Sequence, residues 1–375
     1  MKKIIYRKLA LECTKFFLLI LFTISIIIWV LQAVNYLDFV TEDGHGFLVY
    51  FNYTLLSFPK IFSRIFPFAI FLSFIYIILK YENKNELVIF WNFGIKKIHF
   101  INFFIKFSFV FVILSILLNA LIAPYTQDKA RSFIRSSQLD FFEGMLKPKK
   151  FIDIIENLTI YFDEIEENGE FKNIFLNDKS GQSTQITFAK KGRVEIRNFK
   201  KVIVLEDGKT INQINGKISE FKFSKTDFNI SKYSTKTTVT KKIQETSTKD
   251  LIKCLLIFHK PIDKINFSKI TLDRNCGVNN LNNIHQELYS RLIKPLYITF
   301  LITISLLLIL KSKDSHLFNI NKIKIYLLGF VTIVFLELSS KFINTNLMQN
   351  LILITLPILL VLIIYIFFLK VLRTN

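Results

Sequence analysis

Gly208-Lys209-Thr210 ends the way a phosphate-binding loop ends, with a lysine for the phosphates and a hydroxyl for a metal ion. That loop also needs a glycine at 203, where this chain has Ile203, and a strand-to-helix setting, whereas the flanking residues read as a hairpin. The triplet is therefore expected to be a turn. His285-Gln286-Glu287 lacks the second histidine and the spacing of a zinc-protease helix. No glycine-flanked serine nucleophile occurs, and the five histidines are scattered away from cysteine or carboxylate clusters. No catalytic centre, metal or cofactor is expected. If the protein does work, the energy must come from a partner or an ion gradient.

The elements explain the missing chemistry. Apolar residues make up 51% of the 375, and they gather in six runs, at about 14–34, 55–79, 98–123, 292–310, 323–343 and 347–369. Each run is about 20 residues, enough to cross a hydrocarbon layer of about 30 Å. The first is too long, and its side chains too large, for a cleaved signal peptide, so it is read as a retained helix. Lys2, Lys3, Arg7 and Lys8 precede it, and Lys80, Lys84, Lys96 and Lys97 flank the loop between the second and third runs. Lys311, Lys313, Lys322 and Lys324 bracket the loop between the fourth and fifth, and Lys370 and Arg373 close the chain. The loop after the first run holds Asp38, Glu42 and Asp43 instead, and the turn after the fifth offers little beyond Lys341. Lysine and arginine resist translocation, so both termini are expected in the cytoplasm and the middle of the chain outside. Much of the +20 formal charge lies in these flanks, which points to anionic lipid and away from nucleic acid.

The middle reads as strands. Leu158, Ile160 and Phe162 share one face and Phe221 and Phe223 another, with polar residues between. Asn168-Gly169, Ser180-Gly181, Asp207-Gly208 and Asn215-Gly216 punctuate the pattern with residues that accept positive φ, so an antiparallel meander or sandwich is expected. The run 246–248 offers an N-cap to a short amphipathic helix over 251–258, and 261–283 reads as a surface excursion. Pro124 and Pro148 bracket the entry to this part, and no internal repeat is present. The domains are thus 1–123, with a cytoplasmic loop at 80–97, then 124–290 and 291–375. Cys254 and Cys276 both lie outside and either pair or remain thiols.

Three segments carry a resemblance. The loop at 82–95 forms a short helix bearing Glu86, with Gly94 as its terminator. At 287–295, Glu287 and Arg291 stand four apart, the spacing of an ion pair, ahead of Lys294 and Pro295. Pro59 and Pro67 interrupt the second run. In this order the chain resembles, over nearly its whole length, the LptF/LptG family of lipopolysaccharide-export permeases. The stretch 124–151 followed by Leu158-Thr159-Ile160-Tyr161-Phe162 is closer to LptF than to LptG. The resemblance implies an α-helical membrane protein with an inserted all-β domain, a jellyroll or sandwich between two sets of three helices. It implies an inner-membrane, non-catalytic subunit that pairs with a paralogous permease and a cytoplasmic ABC ATPase dimer. That subunit would extract lipopolysaccharide and pass it to a periplasmic jellyroll bridge protein. Glu86, with Glu82 and Gly94, would take the stroke of the ATPase. Lipid phosphates would meet Lys60, Arg64, Lys129, Arg131, Arg135, Arg291 and Lys294, unless these snorkel to headgroups or pair within the protein, with Glu337 a partner for Arg64 or Arg291. The outer end of the first helix departs from the family, carrying Trp29, Gln32 and Asn35 and no cation. The alternative class, a membrane-anchored sensor or assembly scaffold whose β domain binds a soluble partner, fits less well because every cytoplasmic loop is short.

Overall fold

A computed structural model of the chain describes residues 2–37, 46–136, 148–155, 158–166, 169–179, 183–197, 200–214, 217–229, 241–258, 276–344 and 347–374. The helices are α1 (Lys2–Asn35), α2 (Phe47–Asn83), α3 (Glu86–Asn92), α4 (Lys97–Leu117), α5 (Ala123–Ser136), α6 (Thr248–Phe258), α7 (Leu281–Leu292), α8 (Tyr297–Leu306), α9 (Phe318–Ser339) and α10 (Leu347–Thr374). Among the described residues six spans, three before the sheet and three after it, are long and apolar enough to cross a membrane. Two compact units result. Met1–Asn35, Tyr53–Arg131 and Lys241–Asn375 form the helical one, and Tyr36–Asn52 with Ser132–Thr240 the one that holds the sheet. The second unit is narrower than the expected 124–290, because the chain from Lys241 onward packs with the helices.

Hydrocarbon offers backbone groups no water, so the spans must satisfy themselves. Their hydroxyls follow the same rule. Thr23 donates to the Leu19 carbonyl at 2.8 Å, Ser305 to Leu301 at 3.0 Å and Thr332 to Leu328 at 2.7 Å. A few reach across helices instead, such as Ser73 Oγ to the Cys13 carbonyl and Ser108 Oγ to Thr299 Oγ1, both at 3.0 Å. The core is built on phenylalanine, with Phe17 edge-on to both Phe66 and Phe111, and Phe74 edge-on to Phe104. All ten residues of α8 are buried, which makes it the central helix. In contrast, only 17% of the first span's apolar window and 11% of the sixth's are covered by the protein, so these two spans face outward. At Gly329 of α9 a Cβ would overlap the ring of buried Phe71 of α2, and the two helices approach closely there for want of a side chain.

The sheet contains β1 (Ile152–Ile155), β2 (Leu158–Tyr161), β3 (Glu164–Ile165), β4 (Phe171–Asp178), β5 (Ser183–Arg197), β6 (Lys200–Ile214) and β7 (Lys217–Asn229). It is antiparallel in the order β1-β2-β4-β5-β6-β7, with β3 on β4, so neighbours in sequence are neighbours in space. Leu158, Ile160 and Phe162 lie buried on one face as expected, and a single apolar cluster joins Ile152 of β1 to Phe228 of β7. Phe223 packs against that cluster, while Phe221 on the last strand is 59% exposed.

Asp207-Gly208 is not a turn. It lies within β6, where Gly208 pairs with Ala189 and with Phe223. Asn173, Lys190, Asp207 and Ser224 fall on one line across β4 to β7, and at that line each ladder loses one rung while its register continues unchanged on both sides. Asn173 and Asp207 both have φ of 51°, the left-handed conformation that short polar side chains tolerate best. The sheet is creased there without a bulge. Gly208 is required beside the crease, because a Cβ would strike the Phe188 carbonyl and the Phe223 ring. Gly208-Lys209-Thr210 is therefore strand. Asn168, Ser180-Gly181 and Asn215-Gly216 lie outside the described residues.

Candidate functional site

Within the helical unit a cavity of about 810 Å³ opens where four helices lose their regularity. Pro67 removes an amide from α2. Between α4 and α5 the chain makes a π turn, Leu118–Ile122, and Pro124 follows it. Between α7 and α8 the backbone tightens to a 3-10 turn at Lys294–Leu296 containing Pro295, and α9 ends in another at Ser340–Phe342. Residues from all four breaks line the cavity. Pro124 has no N–H for the carbonyl four residues back, that of Ala120, and this carbonyl accepts the Thr248 hydroxyl. Thr248 in turn accepts from Arg291 Nη1 at 2.9 Å.

Arg291 is only 2% exposed and nearly all of its donors are engaged. Its Nε donates to Glu287 at 2.9 Å, Nη1 also to the Thr246 carbonyl at 2.9 Å, and Nη2 to the Gln244 carbonyl at 3.0 Å. The i, i+4 spacing does yield an ion pair, but a buried one, and the guanidinium clamps 244–248 onto α7. Ser247 caps the helix so held, accepting from the Asp250 amide at 3.2 Å, and Leu251 and Cys254 pack on Ile284. Cys254 is disulfide-bonded to Cys276. Residues 261–275 of the expected surface excursion lie outside the described residues.

Among the described residues the cavity wall carries seven basic side chains against two acidic ones. Lys60 points its Nζ at Gln127 and Gln244, both at 3.0 Å, and Arg64, one turn on, is exposed to the cavity. Lys294 pairs with Glu337 at 3.2 Å. Glu337 therefore belongs to Lys294 and not to Arg64 or Arg291, and its side chain is 58% exposed. Arg131 is off the cavity wall and holds Glu245 at 2.9 Å. Lys129 lies exposed on α5, also off the wall, and the side chain of Arg135 is outside the described residues. Sequence reasoning missed Lys241, Lys242 and the amides of Asn119, Gln127, Gln244, Asn283 and Gln286. Nothing local in 241–244 announces that it returns to the helices. Lys341, noted only as the one cation after the fifth run, was the available signal.

At the other end of α2 stands the short α3. Glu86 begins it, and Gly94, at φ 74°, ends it with the paired bonds Gly94 N to Trp91 O at 3.0 Å and Ile95 N to Phe90 O at 3.2 Å. Leu87 is buried, whereas Val88, Ile89 and Phe93 are exposed and Glu86 is half-buried. Glu82 differs from Glu86, being only 7% exposed and turned inward.

Six membrane-type helices, a separate antiparallel sheet and a basic cavity among broken helices define a multi-pass membrane permease with an inserted β domain. The model of the lipopolysaccharide export system permease family LptF/LptG matches residues 7–371, and the chain belongs to that family. That family is one of transport permeases. A curated relative, the uncharacterized protein RP871 of Rickettsia prowazekii (strain Madrid E), is 19% identical over 224 residues, covering 59% of this chain and 62% of its own length. The chain thus spans about three fifths of the relative it matches.

Proposed function

We propose that this chain is the permease subunit through which an ABC transporter draws lipopolysaccharide from the inner membrane and hands it to a periplasmic jellyroll bridge. The cavity carries the reading. A phosphorylated sugar with several acyl chains needs cations beside apolar walls, and Lys60, Arg64, Lys242 and Lys341 line a space whose apolar wall is formed by Pro67, Ala123, Pro124, Ile243, Pro295 and Leu336. Lysine and arginine form charge-assisted hydrogen bonds with phosphate oxygens, and arginine does so as a fork. Arg291 has a supporting role, holding the wall in place. The cation-rich loops support a cytoplasmic location for both termini and α3, where the apolar face of Val88, Ile89 and Phe93 with Glu86 beside it suits a groove on an ATPase subunit. The poorly covered first and sixth spans suit a paralogous permease.

A photo-crosslinking residue at Ser63, facing the cavity, tests this. Lipopolysaccharide adducts are expected, falling about tenfold when Arg64 and Lys341 are both changed to glutamine, as loss of charge-assisted bonds to phosphate requires. Protein adducts alone would favour the anchored scaffold instead.

A further inference from the structure

Glu82 sits in the last turn of α2, where the helix dipole and burial both disfavour a negative charge. Its compensation comes from far along the chain. The carboxylate accepts the Lys313 backbone N–H at 2.8 Å, and Lys313 returns its Nζ to the Asn83 carbonyl at 3.3 Å. Two residues separate α2 from α3, and they have no slack, since Asn85 N bonds the Glu82 carbonyl at 3.0 Å and Ile89 N bonds the Asn85 carbonyl at 3.4 Å. A displacement of α3 must therefore reach Glu82. The turn at Lys313 joins α8, whose preceding residues include Lys294, to α9, which carries Glu337. Those two residues pair at the cavity, on the order of 25–35 Å away by helix rise, so the turn links the two segments that carry this pair. A second contact, Lys80 to Glu12 at 2.9 Å, joins the same end of α2 to α1.

We propose that Glu82 is a positioning residue that transmits displacement of α3 to the α8–α9 turn, and is not itself a contact for the ATPase. The proposal rests on the reading of α3 as the docking helix.

The test uses the complex reconstituted in proteoliposomes with its ATPase, reading ATPase co-purification, lipid released per ATP hydrolysed, and hydrogen exchange at the Lys313 amide. Glu82→Ala is expected to keep the ATPase, to release about tenfold less lipid per ATP, and to exchange the Lys313 amide about tenfold faster, the scale of one lost bond to a charged acceptor. Glu82→Gln retains an acceptor oxygen and should stay within about threefold of the parent on both readings. If Glu82→Ala does not accumulate in the membrane, Glu82→Asn, one methylene short of the Lys313 amide, is read in the same way. Parent-like release per ATP with a freely exchanging Lys313 amide would overturn the relay, as would loss of the ATPase from Glu82→Ala. A Glu86→Ala complex that keeps its ATPase would instead overturn the docking reading, whatever Glu82 does.

Discussion

The side chain of Arg291 illustrates how a buried charge stays tolerable. Four hydrogen bonds to Glu287, Thr246, Thr248 and Gln244 replace its water, and three of the four partners lie on a segment more than 40 residues away. Arg291→Ala orphans Glu287 and two carbonyls, so we expect a loss of about 3–5 kcal/mol in unfolding free energy, the range for breaking one half of a buried pair, read by thermal denaturation in detergent. Glu287→Gln keeps a hydrogen-bond acceptor and should cost about half of that or less. Asp163 in the sheet shows a milder case. The Asn173 side-chain amide, and after it the Tyr161 hydroxyl, both at 2.8 Å, hold its carboxyl below the ordinary aspartate range. Its contribution to stability is therefore complete above the unfolded-state pKa and is lost as falling pH passes through the lowered folded value. In an NMR titration, Asn173→Ala should move the Asp163 midpoint up toward the ordinary range, and an unmoved midpoint would refute the assignment. The i, i+4 spacing gave warning of the Glu287–Arg291 pair. It gave none of the other partners of Arg291, because the return of 241–248 to α7 is a long-range event with no local pattern.

Elements divide along the same line. Apolar run length made the six spans legible, since hydrocarbon thickness sets it directly, and alternation made β2 legible through Leu158 and Ile160. The crease was misread. Asp207-Gly208 has the composition of a hairpin turn, and only the strands on both sides reveal that the left-handed residue is used inside β6 to bend the sheet. Asp207→Gly should thus be near neutral, whereas Asp207→Val should destabilise the full-length protein by about 1–3 kcal/mol, because a β-branched residue resists positive φ. Gly329 makes the equivalent case for the helices. Its glycine looks incidental in sequence, yet any Cβ there enters the ring of Phe71. Gly329→Val is expected to lower stability by about 1–3 kcal/mol, the usual cost of overpacking, with Phe71→Leu restoring part of it. Independent, additive effects in the double variant would refute that contact.

At the scale of the whole molecule, the proposed route depends on which side of the membrane each end occupies, and the Cys254–Cys276 bond offers a direct reading. The sequence left the two cysteines paired or free; the structure bonds them, 22 residues apart, tying α6 to the chain just before α7. Such a bond persists in an oxidising compartment and not in the cytosol, so it supports the proposed placement of this part of the chain outside the cytoplasm. The same unit buries Cys13 near the opposite, cation-rich end of α1, where it remains a thiol. In cells, Cys254 and Cys276 should resist a maleimide reagent until a reductant is added, while a cysteine introduced at Lys84 should stay shielded from any reagent that does not cross the membrane. Cys254→Ser should lower stability by about 3 kcal/mol, the loop-closure scale for about 20 residues. Thiols at both positions that react without reduction, together with an exposed residue 84, would invert the topology. The cavity cations would then face the cytoplasm and α3 the wrong compartment for an ATPase, and the export reading would fall with them.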